Sequence, residues 1–227
     1  RSLDIESELP AISFLVVEKD NPNIEFKSTW DTLGMRATST NPMLLHDCFV
    51  PQSRLFLGSE WMALLKIARE PHWLVGGYSG VYLGIATAAF EFLVAYLRNK
   101  KQPGSTISHA EDSRIQHRVG ELAAALQSAR LATHYAARAV DERRGTPETN
   151  AAIHHAKYLV GEVGPWLTSA AIRLCGASAI ARALPLERHY RDARCGGLMP
   201  ATSDECLIYL GKAAFGRDMS KPDETYW

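Results

Sequence analysis

Net charge is the first thing this chain lacks. Its 25 basic residues are matched by 25 acidic ones, so no outward field exists to gather nucleic acid or an anionic membrane surface. The short basic groups Arg98-Asn99-Lys100-Lys101 and Arg143-Arg144 fall at expected helix ends, where they complement the helix dipole. Cysteine is scarce as well. Cys48, Cys175, Cys195 and Cys206 are widely spaced, without a C-x-x-C, which argues against a disulfide framework and for reduced thiols in a cytoplasmic protein. No apolar run approaches the twenty or so residues of a membrane helix and no signal peptide is present, so neither a nucleic-acid nor a membrane partner is expected. His154 and His155 are adjacent, point about 100° apart on a helix, and are followed by no third ligand at a suitable spacing, so no metal site is expected.

Catalytic signatures are missing too. There is no G-x-S-x-G, no P-loop and no G-x-G-x-x-G after a strand, which removes the common nucleophile and nucleotide motifs. Most carboxylates, such as Glu91, Glu121, Asp141, Glu142 and Glu148, sit where a solvated helix face is expected.

What is present is an ordinary globular composition, 46% hydrophobic and 22% charged, enough for a sizeable core in one or two domains. Residues 1–57 read as three or four antiparallel strands: Ala11–Glu18, Ile24–Thr29 and Met43–Val50, broken by Lys19–Asn23 and by a connection through Gly34. So little sheet cannot cover both of its faces, and the chain opens at Arg1 almost immediately before a strand, so it is expected to belong to a longer polypeptide. In the connection, Arg36 is placed to pair with a carboxylate or with an anionic ligand.

From residue 58 to 227 the period is helical. Leu83, Ala86, Phe90, Leu93 and Leu97 step by three and four, as do Ile115 to Val140 and Ala156 to Leu174. With a last helix over Ser203–Phe215, the expected fold is α+β and mainly α: an antiparallel four-helix bundle preceded by part of an antiparallel β-domain.

Between the last two long helices lies the densest stretch, Pro185–Gly211. Glu187, Arg188, Arg191, Asp192 and Arg194 suit an ion-paired structural cluster better than catalysis. Gly196-Gly197 stops a short helix, Pro200 blocks its re-entry, and Thr202 or Ser203 caps the last helix. A capped helix start offers backbone N–H groups to a phosphate or other anion.

Taken together, Trp30–Thr38, His46–Pro51, Gly80–Ala86 as the opening of the first bundle helix, Arg118–Leu122 and Arg191–Arg194 resemble the acyl-CoA dehydrogenase superfamily, its C-terminal half, over about residues 10–217. The resemblance implies a flavin, FAD or alternatively FMN, an acyl-CoA or related substrate, and a homo-oligomer, dimer or tetramer, in which the bundle of one subunit completes its neighbour's flavin site. The family's F-G turn corresponds to Pro103-Gly104, without the Phe. Its Gln-x-x-Gly-Gly loop near the flavin diphosphate corresponds to Arg173-Leu174-Cys175-Gly176-Ala177, making Arg173 and Gly176 cofactor-binding candidates beside Thr202 and Ser203. The departure concerns the base. The family's glutamate before the last helix falls on Pro200, and its alternative position before the first bundle helix falls on Trp73. Neither can accept a proton. Glu70, His72 and Glu205 are the substitute candidates. Three readings stay open: α,β-dehydrogenation of an acyl-CoA, flavin-dependent monooxygenation on the same fold, and a non-catalytic partner subunit.

Overall fold

The computed structural model describes residues 13–56, 69–101 and 104–217, with the backbone of Ser2–Leu3 and Pro10–Ala11. The expected boundary at 57/58, Pro103 and the tail from Lys221 to Trp227 lie outside the described residues.

The strands come in antiparallel pairs. β1 (Ser2–Leu3) pairs with β2 (Pro10–Ala11), β3 (Phe14–Leu15) with β6 (Leu55–Phe56), and β4 (Ile24–Phe26) with β5 (Met43–Leu45). Each is two or three residues long, much shorter than the runs expected from Ala11–Glu18 and Met43–Val50. The apolar β-branched composition is there, but Phe14, Leu15, Phe26, Met43 and Phe56 remain exposed. A run of β-formers that finds few backbone partners forms only a short ladder.

The helices carry the core. They are α1 (Val75–Asn99), α2 (Ser113–Arg143), α3 (Pro147–Cys175), the short α4 (Leu186–Arg194) and α5 (Ser203–Ala214). Capping explains their limits. Asp112 Oδ1 accepts from Arg114 N–H at the start of α2, and Thr146 Oγ1 accepts from Thr149 N–H with Pro147 in the first turn of α3. Gly176 ends α3 at φ +85°, a conformation that favours glycine.

Three layers of side chains fix the directions. Val75 of α1 meets Ala136 of α2 and Ile153 and Ala156 of α3; Tyr82 meets Ala129 and Val160; Leu93 and Leu97 meet Leu122, Leu126, Leu167 and Ala171. Residue numbers rise together along α1 and α3 and fall along α2, so α2 runs antiparallel to both. α3 is the central element, packed against α1, α2, α4 and α5, while α4 bridges α1 and α3. α5 lies against α3.

Two expectations about α1 are corrected. It begins at Val75, five residues before Gly80, and its buried stripe is Val75, Ser79, Tyr82, Ala86, Ala89, Leu93 and Leu97, with Leu83 and Phe90 at its margin. Gly76 and Gly77 oppose helix locally, but burial of Val75 holds the first turn in place. By length and composition α1 is also apolar enough to cross a bilayer, with a mean hydropathy of 1.6 over its best 18-residue window. Its buried stripe packs on α2 and α3 as the edge of the common core.

Candidate functional site

The loop between α4 and α5 is held on all sides. Gly196 passes under the Tyr82 ring, where an added Cβ would lie 3.1 Å from ring carbons, and Gly197 passes the Ser203 hydroxyl, where a Cβ would lie 2.9 Å from Oγ. From α3, Lys157 is fully buried and its Nζ donates to the carbonyls of Gly196 (2.7 Å), Met199 (3.0 Å) and Ala201 (2.8 Å). Burial, the largest influence on Lys157, lowers its proton affinity; Cys206, Glu205 and Glu162 oppose that shift.

At the start of α5 the Thr202 hydroxyl accepts from Glu205 N–H at 3.2 Å, and the Glu205 carboxylate accepts from Thr202 N–H at 2.6 Å. This is a closed capping box. Ser203 N–H donates to Gly197 O at 3.0 Å, and Ser203 Oγ donates to Glu162 Oε1 at 2.6 Å. These bonds weigh against an anion at this helix start. Its amides are largely spent within the chain, and Glu162, Asp204 and Glu205 put negative charge where a phosphate would lie. The Thr202 hydroxyl still has its own proton to give, so the helix start suits a neutral hydrogen-bonding group. Glu205, one of the substitute base candidates, accepts the Thr202 N–H within this cap.

Beside the helix start lies an open cavity of about 380 Å³, lined by Glu162, Trp166, Arg194, Leu198 and Ser203 among others. Pro165 sits inside α3 and has no N–H, so the carbonyl of Gly161 on the cavity wall lacks its helical donor. The cavity thus gathers Gly161, Glu162, Trp166 and Arg194 around one space.

The segments that carry the two positions where the resemblance places a base share one core layer. Ala201, next to Pro200, packs against the core layer of Val75, Ala136, Ile153 and Ala156, and Val75 lies two residues after Trp73. Trp73 is 64% exposed and donates its indole N–H to Glu70 Oε2 at 3.2 Å. Glu70 is thereby held at the start of α1 without a cation partner among the described residues. His72 lies 5.2 Å from the Trp73 ring at a tilt of 36° and lines a second cavity of about 280 Å³, beside Ser79, Thr133 and Ile153. Burial holds its pKa below the ordinary imidazole value, with Glu70 opposing and Arg144 adding to the shift.

Arg173 and Gly176 stand elsewhere. Eleven residues of α3 separate Glu162 from Arg173, about 16 Å along the axis, so one chain does not gather all four cofactor-binding candidates into one place. Arg173 is exposed in the last turn of α3, with no hydrogen-bond or ion-pair partner among the described residues. Nearby, Lys100 Nζ donates to Cys175 O at 2.6 Å and would lie 3.3 Å from a Cβ on Gly176. This end is cationic and suits a diphosphate.

Within the ionic cluster of α4, Glu187, Arg191 and Asp192 make structural bonds, while Arg194 lines the open cavity. Arg191 makes a two-point pair with Glu187 (2.8 and 3.1 Å) and donates to Leu33 O at 2.8 Å, while Asp192 Oδ1 accepts from Met35 N–H at 2.6 Å. Gly34 fits between them, because a Cβ there would collide with the carbonyl of Arg191. Arg36 pairs with Asp31 at 2.9 Å on the surface, the first of its two expected partners.

Residues 77–205 match the family described as Acyl-CoA dehydrogenase, C-terminal domain. The chain belongs to the acyl-CoA dehydrogenase family. It is 32% identical to the short-chain specific acyl-CoA dehydrogenase of Mus musculus over 214 residues, 92% of this chain and 50% of that protein. Butyryl-CoA dehydrogenase from Megasphaera elsdenii has the same fold, with TM-score 0.77 and 26% identity over 90% of this chain and 52% of that one. So has dibenzothiophene monooxygenase from Paenibacillus sp. A11-2, with TM-score 0.81 and 24% identity over 97% and 61%. KijD3, solved with FMN and a dTDP-sugar, superposes with TM-score 0.77 and 26% identity over 98% and 55%. The chain spans about half the length of the curated relatives it matches.

Within this acyl-CoA dehydrogenase frame, sequence reasoning missed Lys157 and Glu162. A lysine five residues before an acidic residue on a helix reads as solvated. The G-E-V-G-P run at 161–165 was the available signal, since a helix that tolerates two glycines and a proline there has something close against it.

Proposed function

We propose that the complete polypeptide is a flavin-dependent oxidoreductase of acyl-CoA dehydrogenase type that oxidises an acyl-CoA thioester between its α and β carbons. The observation that carries this reading is the convergence of the α1 start and the Pro200 loop on one core layer, within a family that includes the short-chain specific acyl-CoA dehydrogenases. A bound flavin supplies a hydride acceptor. The residues of this chain fit such a group in two parts. Thr202 offers a neutral hydrogen bond beside the cavity that Glu162, Trp166 and Arg194 line, and Arg173 with Gly176 and Lys100 offers a cationic seat for a diphosphate. The two parts lie about 16 Å apart on α3, and in this reading they serve two different flavins of a homo-oligomer, each completed by a neighbouring copy. FAD, which carries a diphosphate, accounts for both parts; FMN accounts for the first alone.

Pro200 and Trp73 leave the α-proton without the usual acceptor. Glu70 takes that role in this proposal. Its carboxylate is fixed by a neutral indole donor at 3.2 Å, which orients it without the neutralising charge that an arginine would bring. In the full-length protein under anaerobic conditions, addition of a saturated acyl-CoA bleaches the flavin, and Glu70→Gln keeps the flavin while slowing bleaching by at least a hundredfold. Equal bleaching rates in the two proteins would exclude Glu70.

The second reading is monooxygenation by a reduced flavin, favoured by Pro200 itself, since that chemistry needs no carboxylate at this position. It predicts bleaching by an external reductant only, followed by oxygen-dependent return of the colour with an oxygenated product. A protein that stays colourless unless mixed with a second flavoprotein subunit points instead to a partner role.

A further inference from the structure

We infer that Lys157 is the positioning residue of the site: it sets the backbone of the loop Gly196–Thr202 so that the start of α5 and the Pro200 turn face the ligand. The consequence depends on the flavin reading; the cause is geometry alone. An ammonium group has three N–H donors, and here each finds a carbonyl, at 2.7, 3.0 and 2.8 Å, on Gly196, Met199 and Ala201. No donor is left over, and the side chain is 0% exposed. The three acceptors span the whole turn from the end of α4 to the residue before the Thr202 cap. A single point charge at its centre therefore turns three parts of the loop inward, and their opposite faces outward.

The core does not need this lysine for packing. Burying an ammonium costs more than burying a methionine of similar reach, and Val160 on the next turn of α3 meets Tyr82 and Ala129 without any polar group. What the lysine adds is definition. The loop holds two adjacent glycines with broad conformational freedom, and its close passages at Tyr82 and Ser203 leave no room for a side chain to pin it from outside. Glu162 on α3 and Glu205 on α5 face the same region. They balance the buried charge while making their own bonds to Ser203 and Thr202. Lys157 thus links the cavity wall, the loop and the helix cap into one unit.

The test uses the full-length protein and three variants. Lys157→Met keeps the length and removes the donors. Lys157→Arg keeps a charge with altered donor geometry. Leu167→Ala, in a different core layer, serves as a control for stability loss alone. Two readouts are taken: the dissociation constant for FAD and amide hydrogen exchange over residues 196–203. Lys157→Met is expected to speed exchange in this loop at least tenfold and to raise the FAD dissociation constant at least tenfold. Lys157→Arg falls between it and the wild type. Leu167→Ala lowers the melting temperature but leaves both readouts unchanged. If Lys157→Met does not fold, Lys157→Arg alone decides, with at least threefold changes expected in both readouts. Loop exchange that stays at the wild-type rate, or FAD affinity that follows melting temperature equally in Leu167→Ala and the Lys157 variants, overturns the positioning role. If the wild type binds no flavin, the functional reading fails, and loop exchange still decides the clamp.

Discussion

His154 shows how one buried side chain ties pH to stability. It is 5% exposed, its ring stacks on Tyr209 with centroids 3.9 Å apart, and its Nδ1 lies 2.8 Å from Asn150 O, which assigns the proton to that nitrogen. Burial is the main cause that lowers its pKa; the Asn150 carbonyl and Glu205 act against it, and Lys157 acts with it. The unfolded chain, with an ordinary value of about 6.5, therefore takes up a proton before the folded chain does. This contribution is constant above about pH 6.5 and stability is lost as pH falls from there to the lower folded value. His72 and His189 are shifted the same way by burial and add to the slope. Urea midpoints should fall between pH 7 and pH 5, and His154→Phe, which keeps the stack on Tyr209, should flatten part of that fall. An unchanged slope would place the titration elsewhere. Thr202 gives a second residue-scale test. Thr202→Ala should cost about 1 kcal/mol through the lost cap, read as a lower urea midpoint at unchanged m-value, with Thr202→Ser close to the wild type.

At the scale of elements, the contact between the Gly34 connection and α4 joins the strand-bearing part to the helices. Gly34→Ala would force the Leu33–Met35 backbone off Arg191 and lengthen the 2.6 Å bond from Met35 N–H to Asp192. The expected loss is about 1–3 kcal/mol, measured by thermal unfolding. Asp192→Ala should add little on top, because both changes break the same contact. Much at this level is legible in the sequence. Thr202-x-x-Glu205, Pro147 and Gly176 mark helix ends because capping is local chemistry that needs no tertiary information. The α1 start is hidden because Gly76 and Gly77 oppose helix locally and only burial of Val75 reverses that. Lys157 is hidden for a related reason. Its stripe neighbours Ala156 and Val160 announce a buried face, but nothing within a helix tells that three carbonyls wait in a loop some forty residues later. The strands come out shorter than β-propensity suggests, because propensity does not count the backbone partners a strand will find.

At the scale of the whole molecule, α3 runs from an acidic neighbourhood at Glu162, Asp204 and Glu205 to a basic one at Arg173 and Lys100, which we read as two parts of a flavin site. In the full-length protein Arg173→Glu should weaken FAD at least tenfold without moving the melting temperature of the flavin-free form, since Arg173 is exposed and touches nothing that holds the fold. FMN, lacking the second phosphate and adenosine, should be indifferent to that change. The central claim is that this acyl-CoA dehydrogenase frame still oxidises an acyl-CoA although Pro200 and Trp73 stand where the base is expected. The most direct measurement is an anaerobic visible-absorption titration of the full-length protein with butyryl-CoA and longer saturated acyl-CoA thioesters. The account predicts a yellow protein whose flavin band bleaches with at least one of them. A protein that keeps its flavin band through the whole series, or has none, would contradict it.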